Sequence, residues 1–247
     1  MITGIDHIVI MVSDLEQAAR QWGELGFTVN PGGKHPRGTH NALITLQDGA
    51  YLELIAFWEP DYDAHRWHRF QNSGIGLIDH ALGSSDLAQE VQDVTARGVT
   101  YAGPNPGARS RPDGVELAWR TAHATGRDDH ALPFLIDDLT DRELRVPGGE
   151  QAQHANGVRG VDTLYLVVDD VATASEQYGL VVNAEPTASF AVGPHAVAMV
   201  QPEGDGAAAE RLSAYGAGPF SVRFYGSSDF DVDPGEVDGA RVSCVIR

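Results

Sequence analysis

The chain of 247 residues contains a single cysteine, Cys244, and a single lysine, Lys34. One thiol rules out an internal disulfide and a cluster of thiolate metal ligands. Cys244 has no adjacent histidine, and no Gly-x-Ser-x-Gly elbow is present, so hydrolase chemistry through an activated nucleophile is not expected. Basic charge is also scarce: sixteen arginines and one lysine face 35 acidic residues, for a formal net charge of −18. Binding to nucleic acid or to an anionic membrane surface needs clustered positive charge, so neither is an expected partner. No unbroken apolar run approaches the roughly 20 residues of a membrane-spanning helix. The amino-terminal segment lacks the basic start and apolar stretch of a secretory leader. These absences together predict a cytoplasmic protein acting on a small molecule. A lysine-poor acidic surface suits a salt-adapted host, and it equally suits genomic codon bias.

Apolar residues make up 42% of the chain and charged residues 21%, enough for a packed core. The organisation comes from an internal repeat. Gly4-Ile5-Asp6-His7-Ile8-Val9-Ile10 leads to Asp14, Leu77-Ile78-Asp79-His80-Ala81-Leu82 leads to Asp86, and Gly160-Val161-Asp162-Thr163-Leu164-Tyr165 leads to Asp170. Asp6 and Asp79 are 73 positions apart, and Asp79 and Asp162 are 83 apart. In each copy a β-branched run predicts a strand, the aspartate an N-cap, and a short amphipathic stretch a helix ended by Gly26, Gly98 or Gly179.

Further strands are predicted at 27–30, 42–46 and 51–57 in the first copy, at 99–101, 115–121 and 132–136 in the second, and at 181–184, 189–192 and 196–200 in the third. A helix is expected over 207–214, with strands at 219–225 and 241–246 that suggest a fragment of a fourth copy. The expected class is therefore α+β, built from repeated βαβββ modules. Modules at 1–60 and 76–138 would pair within 1–140, and 158–247 would hold the third module and a partial fourth. Composition places chain seams at 59–74 and 141–157.

Several segments resemble the glyoxalase-like domain family of the vicinal oxygen chelate superfamily. They are Ile5-Asp6-His7-Ile8-Val9-Ile10, Pro31-Gly32-Gly33-Lys34-His35-Pro36, Gly38-Thr39-His40-Asn41-Ala42-Leu43, Tyr51-Leu52-Glu53-Leu54-Ile55, Arg111-Pro112-Asp113-Gly114 and Leu132-Pro133-Phe134-Leu135-Ile136. The likeness runs through about residue 138 and weakens beyond it. It implies paired βαβββ modules whose mixed β-sheets curl into cups with helices outside, the main cup within 1–140, in the wider superfamily holding a divalent metal that substrates chelate through adjacent oxygens. The reactions it implies are lyase, isomerase or ring-cleaving dioxygenase chemistry. Some members bind and sequester toxic small molecules, so a non-catalytic binding protein using the cup without metal is the alternative.

The resemblance places a metal-ligating His on the first strand of a module and a carboxylate on its last. His7 and Glu53 occupy these places. Strand alternation puts Tyr51, Glu53 and Ile55 on one face, and a carboxylate in so apolar a strand needs a partner. That partner is either a metal or His7 in a metal-free hydrogen-bonded pair. In the second module the Ile-Asp-His match selects His80, whereas counting back from Asp86 selects Asp79. Phe134 stands where an acid would be expected, with Asp137 on the opposite face. The expected ligand set is His7, Glu53 and His80 around iron, manganese, zinc or nickel; the other reading of His80 is an exposed or capping histidine. Thr163 replaces the histidine in the third module.

Loop 31–40 lacks the spacing of a phosphate loop and reads as a lip over the cup. His35 and Asn41 would bind substrate, and His40 would join Glu53 in proton transfer. Arg109 or Arg111, in loop 104–114, could hold a substrate carboxylate, with Arg111 the preferred choice and an Arg111–Asp113 surface pair its alternative. Trp119 is a candidate pocket wall. The cluster His65-Arg66-Trp67-His68 reads as the cap of a linker helix. A second copy of the chain is compatible as a partner.

Overall fold

The computed structural model describes residues 1–59, 65–126 and 130–247, and the part of the 59–74 seam at 60–64 lies outside them. The repeated aspartates act as the sequence predicts. Asp14 accepts a hydrogen bond from Gln17 N at the start of α1 (Leu15–Glu24), Asp86 from Gln89 N at α2 (Leu87–Ala96), and Asp170 from Thr173 N at α4 (Val171–Val182). Each cap satisfies an amide that the first helical turn leaves without a partner. A short α3 (Arg142–Arg145) and α5 (Ala207–Tyr215) complete the helices.

Eight strands close into a barrel: β1 (Ile2–Met11), β2 (Asn30–Lys34), β3 (Thr39–Thr45), β4 (Tyr51–Phe57), β5 (Leu77–Ser84), β6 (Tyr101–Ser110), β7 (Glu116–Ala124) and β8 (Phe134–Asp138). Their order around it is β1-β4-β3-β2-β6-β7-β8-β5. β1 runs parallel to β4 with Val9 opposite Glu53, and antiparallel to β5 with Ile8 opposite His80. Closure between β2 and β6 rests on one pair, Lys34 with Ser110. A second, open sheet orders as β10-β11-β9-β12-β14-β13, from β9 (Val158–Val167), β10 (Ser189–Val192), β11 (His195–Val200), β12 (Gly218–Gly226), β13 (Phe230–Asp231) and β14 (Arg241–Ile246). The class is α+β, two curled mixed sheets built from repeated βαβββ-like units and flanked by helices.

Alternation divides the core. Ile5, Ile8, Ile10, Leu52 and Leu54 point out of the barrel and pack with Trp22, Phe27 and the open sheet's Leu164, Leu166 and Phe224. Val9, Met11, Ile55, Ile78, Phe134 and Ile136 fill one part of the interior. The segment that joins the sheets is itself packed: His154 accepts from Thr28 N, and Asn30 and Thr45 donate to Gln151 O. Among the described residues no helix is long and apolar enough to cross a membrane.

Three local expectations are corrected. Residues 31–40 are not one loop, because β2 and β3 occupy most of the segment and Pro31, Gly32 and Gly33 sit within β2. Most of 104–114 is likewise the second half of β6, paired with β7. The strand expected at 181–184 is the end of α4, which passes through Gly179 and closes at Asn183 in the left-handed conformation. Gly179 serves close approach instead, since a Cβ there would stand 2.6 Å from Ala184 O.

Candidate functional site

One end of the barrel opens into a cavity of about 370 Å³, within the range of small-ligand sites. His7 on β1, Asn41 on β3, and Tyr51 and Glu53 on β4 reach it because each faces inward on its strand. His35, from the β2–β3 turn, and Trp119, from β7, complete the wall nearest Glu53, with their rings edge to face at 6.0 Å. Five residues expected at the site are therefore brought together: His7, His35, Asn41, Glu53 and Trp119.

Three are not. His40 alternates with Thr39 and Asn41 and so faces away from the cavity, where Lys34 and the Asp14 and Glu16 side chains shape its electrostatics. Arg111 lies just beyond the end of β6 and pairs with Asp113 at 2.7 Å, the surface pair weighed against substrate binding. His80 is neither a ligand facing the cavity nor an exposed cap. It points out of the barrel, fully buried, with Nε2 3.3 Å from Tyr178 Oη of α4. Burial in that apolar layer lowers its pKa to about 4. Register shifts between β1 and β5 give Asp79, not His80, the inward position opposite Val9. There it accepts from Trp67 Nε1 at 2.7 Å and pairs with Arg66 and His130.

The polar groups behind the cavity form a chain. Asp6 is 2% exposed and takes both terminal nitrogens of Arg145 at 2.9 Å, with Arg142 also paired to it. Burial alone would raise the Asp6 pKa, but Arg145, His7 and Arg142 hold it well below the usual carboxylate range. Asp6 Oδ1 lies 2.6 Å from His7 Nδ1, so the ionised carboxylate fixes the proton there and turns Nε2 toward Glu53 Oε2, 3.5 Å away. Glu53 Oε1 accepts from Asn41 Nδ2 at 2.6 Å, and Asn41 Oδ1 accepts from Arg109 Nη1 at 3.0 Å. Arg109, on β6, is 3% exposed. The glycine pair makes this packing feasible. A Cβ on Gly32 would stand 2.0 Å from Asn41 Oδ1, and one on Gly33 would stand 2.1 Å from Ser110 O and 3.0 Å from Arg109 Cγ.

Three of the lining histidines, His35, His65 and His123, are held neutral. Burial brings the pKa of His35 and of His65 to about 4 and that of His123 to about 3, with Arg66 also opposing the charge on His123. Arg66 donates from Nη1 to His123 Nδ1 at 2.6 Å, consistent with a neutral imidazole. His65, Arg66 and Trp67 belong to the cavity wall, and Trp67 also stands at the N-cap of a short 3-10 helix, His68–Phe70, in the linker, as expected.

Two of the three expected metal ligands share the cavity, and the third faces the other side of β5. Phe134 takes the place of a further acid and sets its ring edge on His7 at 5.2 Å. His35 Nε2 approaches Glu53 Oε1 only to 3.9 Å, and Asn41 already occupies that oxygen. Among the described residues no three His, Cys, Asp or Glu side chains are grouped so as to hold a metal ion. The donor set falls short of the three protein ligands that a catalytic divalent metal ordinarily takes.

Comparison with known proteins agrees with this architecture. A family model described as a glyoxalase-like domain matches residues 5–182. A hypothetical protein from Staphylococcus aureus superposes with a TM-score of 0.78 at 13% identity, over 100% of both chains. A mutant of 4-hydroxymandelate synthase from Streptomyces coelicolor superposes with a TM-score of 0.59 at 17% identity, over 91% of this chain and 71% of that one. At these identities the two structures establish the fold alone. No curated protein matches the chain.

Proposed function

Because the chain belongs to the glyoxalase-like domain family, of the vicinal oxygen chelate superfamily, we propose that it is an enzyme of isomerase or lyase type, moving a proton on a small oxygen-rich molecule bound in the barrel cavity. The observation that carries this reading is a buried carboxylate, Glu53, facing the cavity between an imidazole and an amide. Glu53 is the base that takes the ligand proton. His7, its tautomer held by Asp6, faces Glu53 Oε2 and accepts or returns that proton. Asn41 fixes the rotamer of Glu53, so the carboxylate needs no reorganisation when a ligand arrives. Neutral His35 and the Trp119 ring present a hydrogen-bonding and an apolar surface to the ligand. Members of the superfamily often use divalent metals. The described side chains supply too few ligands for one, and the proposed proton transfer needs none.

Proton NMR in D2O tests the proposal with pyruvate, methyl pyruvate and dihydroxyacetone. The expected result is loss of a C–H signal next to a carbonyl with the native protein and not with Glu53→Gln of unchanged circular dichroism. Exchange that survives Glu53→Gln, or that requires added iron, manganese, zinc or nickel, overturns it. Phe134 in the place of an acid favours a second reading, a binding protein without catalysis. Its signature is stabilisation of the protein by a test compound with no exchange in any.

A further inference from the structure

On a chain of net charge −18, the charged residues lining the cavity among the described residues are four arginines, Arg37, Arg66, Arg109 and Arg145, and one carboxylate, Glu53. Two of the arginines are neutralised: Arg145 by Asp6 and Asp138, and Arg66 by Asp79. Arg37 is on the exposed rim. Arg109 differs from all three. It is buried in the wall, and among the described residues no carboxylate lies within 4.0 Å of it. Its protein bonds go to neutral acceptors, Asn41 Oδ1 at 3.0 Å and Arg145 O at 3.3 Å, and its Nε has no partner. An isolated buried guanidinium is costly, and it is among the least common arrangements in a folded protein. Burial accordingly lowers its pKa, although nearby Tyr51 and Glu53 oppose the shift.

We propose that Arg109 anchors the carboxylate of the ligand, so that the cavity takes small monocarboxylic acids. The planar fork matches a carboxylate: Nη1 and Nη2 each keep an N–H beyond those given to Asn41 and Arg145, and a carboxylate supplies the acceptors and the missing counter-charge. The anchor is separated from the base by a single amide, since Asn41 receives Arg109 on Oδ1 and donates to Glu53 from Nδ2. An acid held there presents its α-carbon near Glu53, which makes short acids the fitting class. The negative charge of Glu53 at this distance disfavours a second anionic group on the ligand, so a phosphate or a dicarboxylate fits less well. This substrate class rests on the cavity being the ligand site, as in the proposed function, and it does not depend on Glu53 acting as the base.

Calorimetric titration with pyruvate, lactate, methyl pyruvate, malonate and inorganic phosphate tests the anchor. The native protein should bind pyruvate or lactate at least about tenfold more tightly than methyl pyruvate, malonate or phosphate. Arg109→Gln should remove that preference, with Arg111→Gln unchanged. Should Arg109→Gln fail to fold, Arg109→Lys keeps the charge without the fork, and its affinity should still fall about tenfold at native melting temperature. Binding should persist in Glu53→Gln: retained carboxylate binding with lost proton exchange supports both the anchor and the base, and retained binding with retained exchange overturns the base while leaving the anchor standing. Equal affinity for methyl pyruvate, preference for phosphate, no binding of either acid, or full affinity in a folded Arg109 variant each overturns the proposal.

Discussion

In the barrel, β1 runs parallel to β4 and antiparallel to β5, with β3 beyond β4 and β8 and then β7 beyond β5. In the open sheet, β9 runs parallel to β11 and antiparallel to β12, with β10 beyond β11 and β14 and then β13 beyond β12. The six-strand frames are the same, and the barrel has two strands more, β2 and β6. Those two close it, and they bring in the Gly32-Gly33 pair, the turn bearing His35, and Arg109. Thr163 stands seven residues before its cap Asp170, as His7 does before Asp14. Ala198 opposes Tyr165 as Glu53 opposes Val9. Thus the backbone frame survives without the His7–Glu53 pair. A buried acid and imidazole need partners on every side, and only the closed barrel surrounds them with strands that supply those partners.

The largest test of this contrast compares two arginines that serve equivalent aspartates. Arg145→Ala removes the bidentate partner of Asp6, whose side chain is 1% exposed. Breaking such a buried pair should cost about 3–5 kcal/mol in urea denaturation. Arg223→Ala removes the partner of Asp162 in the open sheet, where Arg223 is 39% exposed and Arg247 also reaches the carboxylate. That loss should stay below about 1 kcal/mol, and equal losses would erase the distinction.

Acidification should come next in size, and it acts where the two sheets meet. His80 has a folded pKa of about 4, below its ordinary 6.5. The unfolded chain therefore binds the proton first, and stability is lost as the pH falls from about 6.5 through 4. The loss from His80 alone should reach up to about 3 kcal/mol at the low end. His35 and His123 act in the same direction. Melting temperatures between pH 7 and 4.5 should fall for the native chain and fall less steeply for His80→Gln. An unchanged slope would mean that the layer around Tyr178 admits the charged ring.

A smaller effect should separate the site from its frame. Gly32→Ala forces Asn41 to move, and overpacking of this kind costs about 1–3 kcal/mol. Gly98→Ala meets no atom within 4 Å but sits at φ +108°, so its cost is backbone strain alone. Ligand binding should suffer in Gly32→Ala and remain native in Gly98→Ala, as read by the same titrations.

The helix caps were legible because an N-cap is a contact within one turn, and Asp14, Asp86 and Asp170 make it regardless of their distant surroundings. The strands Tyr51–Phe57, Ser189–Val192 and Arg241–Ile246 were legible from their β-branched and aromatic runs. Gly/Pro punctuation misled at 31–40 and 104–114, where the closing strands use glycine to admit neighbouring side chains and the prolines fall at irregular pairings. Arg109 and Arg111 share strand parity, and only the end of β6 at Ser110 separates a buried guanidinium from a surface pair. The cavity roles of Arg66 and Trp67 depend on Asp79, a partner twelve or more residues away.

Local alternation in the sequence was enough to turn His7 and Glu53 to one side of their strands, because side-chain direction along a strand repeats every second residue. It could not decide between Asp79 and His80. That choice belongs to the register shifts where β1 meets β5, and a shift of one residue exchanges the two faces of a strand. Closure of the barrel, the isolation of Arg109 and the turning of His80 toward Tyr178 are likewise consequences of tertiary pairing, since each depends on which distant strand or helix comes to lie against the residue.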